Sequence, residues 1–227
     1  MTTPSLLPET RTTVTVWRSR LDLSATTRRD AHNVNRLHGM VLSGIPHPPD
    51  TNRPAHVLFA TTHTPQQRTR AMPAQAGSPE RVLVQSLERP DWQQLLEAGQ
   101  VTDTKVTVVQ QTYTTGHRIA VRIIANPTYR DLATRQRTAL TDATDCAAWL
   151  QRRLSDGGIE VIQHHVSVGA PLVLIGHKGN HRITVVSREL QAHGVVRDAS
   201  RLHQILTEGL GPAKPYGCGL LLARPLQ

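Results

Sequence analysis

The stretch TKVTVVQQTY, Thr104–Tyr113, reads as a strand rich in β-branched residues, and it closes the pattern that decides the fold. Before it, DWQQLLEAG (Asp91–Gly99) is a short helix ended by glycine. RVLVQSL (Arg81–Leu87) and AHVLFATT (Ala55–Thr62) are strands. Asp30 is placed to cap a helix that runs to about Leu42, where Gly44 and Pro46 stop it. Thr12–Leu23 alternates as a first strand. The order is β-α-β-β-α-β, the ferredoxin-like pattern. TPQQRTRAMPAQAGSP (Thr64–Pro79) has no period and is full of turn formers, so a flexible loop is expected there.

After Tyr113 the pattern begins again. RIAVRIIAN (Arg118–Asn126) is a strand, and a helix starting at Thr141 or Asp142 carries Cys146, Trp149, Leu150 and Leu154 on one stripe. GIEVIQHHVSV (Gly158–Val168) follows as a strand. PLVLIGHKGNHRITVV (Pro171–Val186) reads as a hairpin with its tip at Gly176–Asn180. Asp198 caps a helix with Leu202, Ile205 and Leu206 inward, and GLLLARPL (Gly219–Leu226) ends as a short strand. The expected architecture is α+β, two tandem ferredoxin-like domains over 1–113 and 114–227, with the boundary between about Tyr113 and His117.

Charge gives the first functional hint. Lys+Arg outnumber Asp+Glu by 26 to 17, the formal net charge is +9, and only three of the 26 basic residues are lysines. Guanidinium forks pair with phosphate oxygens, so a polyanion, most simply nucleic acid, is the expected partner. Aromatic residues make up only 3% of the chain. A reader of single strands stacks bases on such rings, so recognition of a folded RNA by backbone and shape fits better. Two cysteines without CxxC spacing argue against a disulfide framework and a cysteine zinc site. No apolar run approaches the roughly 18 residues of a membrane span. The N-terminus lacks a signal-peptide pattern, so a cytoplasmic protein is expected.

The strongest local signal is GLGPAKPYGCGLLL, Gly209–Leu222. Gly209, Gly211, Gly217 and Gly219 lie between a helix and a strand, with Lys214 among them. Such a loop either lets backbone N–H groups and a lysine approach an anion or marks a crowded connection. Spacing does not separate the two, and it is neither a Walker A loop nor a dinucleotide fingerprint.

This loop resembles the glycine-rich loop of the RAMP superfamily of RNA-binding proteins. In the form GxGPxKxxGxGLL it is similar to that of the CRISPR RNA endoribonuclease of type I-E (Cascade) systems. AAWLQRRL (Ala147–Leu154), IANP (Ile124–Pro127) after a basic strand, and RRD (Arg28–Asp30) before a helix bearing a histidine resemble further family segments in the same order. The resemblance implies two ferredoxin-like domains and cleavage on the 3′ side of a CRISPR repeat stem-loop. It also implies products with a 2′,3′-cyclic phosphate and a 5′-hydroxyl, no metal and no cofactor, and retention on the crRNA among the other Cascade subunits. It places the catalytic histidine at His38. The family often has a tyrosine one helical turn earlier, where this chain has Asn35, which can position a phosphate but cannot move a proton. His32 is a poor substitute, about one and a half turns away, and the second proton-transfer group is unassigned.

Transesterification needs a base for the 2′-OH and an acid for the 5′-oxygen, and histidine suits either role. Strand alternation places Arg118 and Arg122 on one face, with Ile119, Val121 and Ile123 on the other: a charged groove floor or an ordinary solvated face. Lys178, His181 and Arg182 on the hairpin resemble a basic hairpin that grips an RNA stem, though such tips are commonly soluble turns. Arg28 and Arg29 precede the helix of His38 and could hold phosphates beside the scissile bond, and Arg130, Arg135 and Arg137 form a basic run that a solvated loop would equally explain. His164–His165 and His177/His181 lack metal-ligand spacing, and no HExxH occurs. The main rival is a catalytically silent RNA-binding subunit of the same superfamily. A paired H-x-[ST] phosphodiesterase is matched only once, at His165–Ser167. A metal-dependent nuclease would show clustered acidic residues, which the chain lacks.

Overall fold

A computed structural model describes residues 10–46, 56–63, 74–75 and 79–226. The first half runs β1 (Arg11–Leu23), α1 (Ala25–Asp30), α2 (Val34–Ser43), β2 (Val57–His63), β3 (Ala74–Gln75), β4 (Pro79–Ser86), α3 (Gln93–Glu97) and β5 (Val101–Thr114). Its four long strands form one antiparallel sheet in the order β2-β4-β1-β5. The first strand therefore lies between the third and the fourth, as a ferredoxin-like sheet requires. Leu21, Leu23, Val82 and Val84 meet Leu37 and Val41 of α2 and Trp92 and Leu95 near α3 in one core.

Two local expectations change. The helix bearing His38 is not capped by Asp30, which ends the separate helix α1 and pairs with Arg36 at 3.0 Å. Asn33 is the cap, its Oδ1 accepting the Asn35 N–H at 3.1 Å. Within the expected loop, Ala74–Gln75 forms β3, parallel to a strand of the second half, and Pro79 begins β4. The remainder of Thr64–Pro79 lies outside the described residues.

The second half continues with β6 (Arg118–Ala125), β7 (Thr128–Arg130), β8 (Arg137–Ala139), α4 (Ala143–Asp156), β9 (Ile159–Val168), β10 (Leu172–Lys178), β11 (His181–Val196), α5 (Ala199–Glu208), a single 3₁₀ turn at Lys214–Tyr216, and β12 (Leu221–Pro225). The strands β12, β6, β11 and β9 repeat the order of the first sheet. β11 has 16 residues because it serves twice: Arg188–Val196 pairs within this sheet, while His181–Ser187 pairs with β10. The hairpin thus continues past Val186, and its turn is only Gly179–Asn180, with Gly179 at φ 55°. Gly176 is not a turn residue but the point where α2 crosses the strand. A Cβ there would stand 2.8 Å from Val34 Cγ2 and 3.0 Å from Asn33 Oδ1.

The two halves share interior. Along β1, Val14 and Val16 are buried on one face, whereas Ser19, Leu21 and Leu23 are buried on the other. Val14, Val16 and Tyr113 belong to the core that Trp149, Leu150, Leu190 and Leu202 form in the second half. Gln85 of β4 adds a buried polar tie, donating to the Leu206 carbonyl of α5 at 2.7 Å.

Tyr113 donates to the Ala223 carbonyl at 3.1 Å, and burial pushes its phenol up to about 12. Because the neutral form is favoured in the fold, this stabilisation is complete below pH 10 and lost as the pH rises towards 12. Tyr113→Phe is expected to cost about 1 kcal/mol at neutral pH and to flatten that alkaline loss. Urea melts of both proteins across pH 9–12 check this, and parallel pH profiles would contradict it.

Candidate active site and RNA-binding surface

His38 projects from the middle of α2, next to the Val34–Leu37–Val41 stripe that holds the helix to the core. It is half-buried, with its ring over that of Phe59 in β2 at 6.4 Å between centroids and 18° between planes. Burial pulls the imidazole below its ordinary value. Such a shift extends the pH range over which the ring is unprotonated, the form a general base needs.

Three elements meet around this helix. Asn33 Oδ1 accepts the His177 N–H of β10 at 3.1 Å as well as its own helix's Asn35 N–H, and Asn33 also bridges to Ile175. Val34, Leu174, Val185 and Cys218 form a small core between α2, the hairpin and the glycine-rich loop, with Tyr216 and Ile124 against it. Gly217 completes the joint, since a Cβ there would stand 3.2 Å from the Phe59 ring beneath His38. Lys178, His181 and Arg182 are exposed at the end of the same hairpin, so a basic prong and the histidine helix share one mount. Sequence reasoning missed Asn33, Phe59 and the role of Gly176. Asn before a helical period is a readable cap signal, but its second bond depends on the distant hairpin.

The glycine-rich loop resolves towards packing. Gly209, Gly211, Gly217 and Gly219 all have φ between 78° and 89°. At Gly209 a Cβ would meet Leu58 at 2.6 Å, and at Gly211 it would meet Trp149 at 2.9 Å. The Leu210, Gly217 and Gly219 N–H groups donate to the Gly219, Lys214 and Ile124 carbonyls. Lys214 Nζ donates to the Glu208 carbonyl at the end of α5 at 2.7 Å. Of the two readings left open for this loop, these contacts favour the crowded connection. Cys218 fills small space, and burial raises its thiol to about 12.

On β6 the alternation holds: Arg118 and Arg122 are exposed, and Ile119, Val121 and Ile123 are buried. Arg122 is ion-paired with Glu189 at 2.8 Å, which reduces the net charge of that face. Arg28 donates to the Leu23 carbonyl at 3.0 Å and faces Glu80 at 3.9 Å, while Arg29 is exposed at the end of α1. His165 stacks on His193 at 5.1 Å, and the side chain of His164 lies outside the described residues. Among the described residues no three His, Cys, Asp or Glu side chains gather as a metal site, and no helix is long and apolar enough to cross a membrane.

Two ferredoxin-like halves, joined where the helix of His38 meets a basic hairpin, define a class of tandem ferredoxin-like proteins. The chain belongs to the CRISPR associated protein family, whose pattern it matches over residues 16–225. It is 31% identical over 169 residues to the CRISPR-associated endoribonuclease Cse3 of Thermus thermophilus, covering 69% of this chain and 78% of that protein. It is 35% identical over 94 residues to the Cascade subunit CasE of Escherichia coli, covering 40% and 45% of the two chains. The structure of the CRISPR endoribonuclease Cse3 bound to a 19-nucleotide RNA superimposes with a TM-score of 0.77 at 27% identity, over 94% of this chain and 100% of that one.

Asn33→Ala removes the helix cap and the hairpin latch together, and is expected to lower stability by about 1–2 kcal/mol. Hydrogen exchange should then speed up both at the His177 amide and in the first turn of α2. Faster exchange at the helix alone would show that the latch is not shared.

Proposed function

We propose that this chain is an endoribonuclease that cuts CRISPR repeat RNA beside its stem-loop and stays on the mature crRNA as a Cascade subunit. His38 is the catalytic residue. The observation that carries the reading is the half-buried imidazole of His38 on a helix latched to a basic hairpin. The similar proteins named endoribonuclease and Cascade subunit support the substrate and the partners.

In the proposed reaction His38 takes the proton of the 2′-OH as the 2′-oxygen attacks phosphorus. The bond from phosphorus to the 5′-oxygen breaks, leaving a 2′,3′-cyclic phosphate, and the leaving oxygen takes a proton to become a 5′-hydroxyl. No step uses a metal. Lys178, His181 and Arg182 hold the stem, while Arg29, Arg118 and the partly neutralised Arg122 steer the backbone. Asn35, in the first turn of α2, positions the phosphate. Tyr216, packed against the small core that Val34 of α2 shares with the hairpin, is the first group to test as proton donor to the 5′-oxygen. Tyr216→Phe should slow cleavage while leaving affinity unchanged, and an unaltered rate would remove it from the role.

Asn35 at the position of the family tyrosine favours one other reading, a silent RNA-holding subunit. With a stem-loop repeat RNA and excess EDTA, the parent is expected to give a cyclic-phosphate product. His38→Ala is expected to bind equally well and lose at least about a hundredfold in rate, the usual worth of a general base. Equal cleavage by both would move the active site elsewhere, and binding without cleavage by either would favour the silent subunit. The single-turnover rate should rise with pH at acid pH and level off by about pH 7, since the proton leaves His38 below its ordinary value near 6.5. A rate that falls across that range would make His38 the acid.

A further inference from the structure

A second basic feature lies away from the His38 helix. β7 and β8 form a two-stranded ribbon in which Arg130 stands directly opposite Arg137. Like charges in that register oppose each other and destabilise the pair. Across a cavity of about 430 Å³ they face Arg153, in the last turn of α4, and the remaining lining is Thr128, Gly211 and Pro212. The lining contains no carboxylate. Among the described residues none of the three arginines makes an ion pair. The ribbon's own acid, Asp131, accepts the Ala133 and Thr134 amides at 2.9 and 2.7 Å and so folds its charge back into the turn. Arg130 Nε donates to the Arg135 carbonyl, leaving the rest of its fork. Arg153 is steadied over the Trp149 ring at 5.8 Å, the ring that Gly211 approaches from the loop.

We propose that this arginine pocket is a phosphodiester-binding site that holds the backbone of the bound RNA at a distance from the scissile bond. Three unneutralised guanidinium groups around a concave space offer paired N–H donors to the two free oxygens of a phosphate. An anion between Arg130 and Arg137 would relieve the opposition that the ribbon otherwise sustains. The glycine-rich loop links the two places: Gly217 lies under Phe59 at the His38 helix, and Gly211 and Pro212 line the pocket. The proposal rests on the RNA-processing reading above, but it is read by binding and not by cleavage.

The test compares the parent, Arg130→Gln/Arg137→Gln and a control, Arg11→Gln/Arg201→Gln, whose exposed arginines lie outside the pocket. Affinity for a stem-loop repeat RNA is measured across a series of salt concentrations. Removing the neutralisation of one phosphate should lessen the slope of log K against log salt by about 0.7–0.9. The pocket variant is expected to show that change, several-fold weaker binding, and an unchanged single-turnover cleavage rate at saturating protein. It should also melt no lower than the parent, because the opposed charges are gone, whereas a purely structural role for the arginines would lower its Tm. A slope and affinity equal to the control's would overturn the proposal. So would inorganic phosphate raising the Tm of the parent but not of the variant while RNA affinity stayed equal, which would assign the pocket to a free anion. A parent that binds without cutting, with the slope difference intact, would support the pocket while sinking the nuclease reading.

Discussion

The carboxamide oxygen of Asn33 receives two backbone N–H groups: that of Asn35, in its own helix, and that of His177, in the hairpin 144 residues further along the chain. A single acceptor thus sets where α2 begins and where β10 crosses it. Gly176 makes the crossing possible, because a side chain would drive into Val34 and into Asn33 itself. The small core of Val34, Leu174, Val185 and Cys218 then fills the angle between them. Rotating α2 about its axis would move His38 off Phe59 and break both hydrogen bonds at once. The position of the proposed base and the position of the basic hairpin are therefore one geometric fact.

That joint stands on a shared interior. β1 has no bulge across its middle, so its even and odd residues keep their faces along the pairing with β5 up to Asp22. The strand nevertheless buries Val14 and Val16 against the second half and Leu21 and Leu23 against the first. A strand buried on opposite faces at its two ends cannot belong to one half alone. With Gln85 reaching the end of α5, this fixes the angle between the sheets. The angle in turn fixes the distance from the hairpin to α2.

Much of this was legible because it is periodic. The alternation in β1 and β6, the apolar stripe of α4 and the glycine stops made both ferredoxin-like halves readable. Arg118 and Arg122 fell on the exposed face as the period of two requires. What was not legible depends on contacts distant in sequence. Gly176 looks like a turn residue until α2 is seen crossing it. The split of α1 from α2 turns on Asn33, whose amide serves the hairpin as well as the helix. The glycine-rich loop left two meanings open from spacing alone. Leu58, Phe59 and Trp149, far away in sequence, decide that its glycines are first of all places of close approach.

The fate of the charges carries the same distinction. Composition counts every arginine and lysine alike, but the fold neutralises some and leaves others. Lys214 closes the end of α5, Arg28 holds the end of β1, and Arg122 pairs with Glu189. These were among the residues that sequence reasoning set towards RNA. Arg130 and Arg137 read equally well as a solvated loop, yet they are held opposite one another without a carboxylate. A cation already engaged by the protein adds little to the attraction of a phosphate, because its partner must first be displaced or shared. A cation opposed by another gains when an anion arrives. The basic surface of this protein is thus better read from the charges the fold leaves unpaired than from the net +9 of the chain.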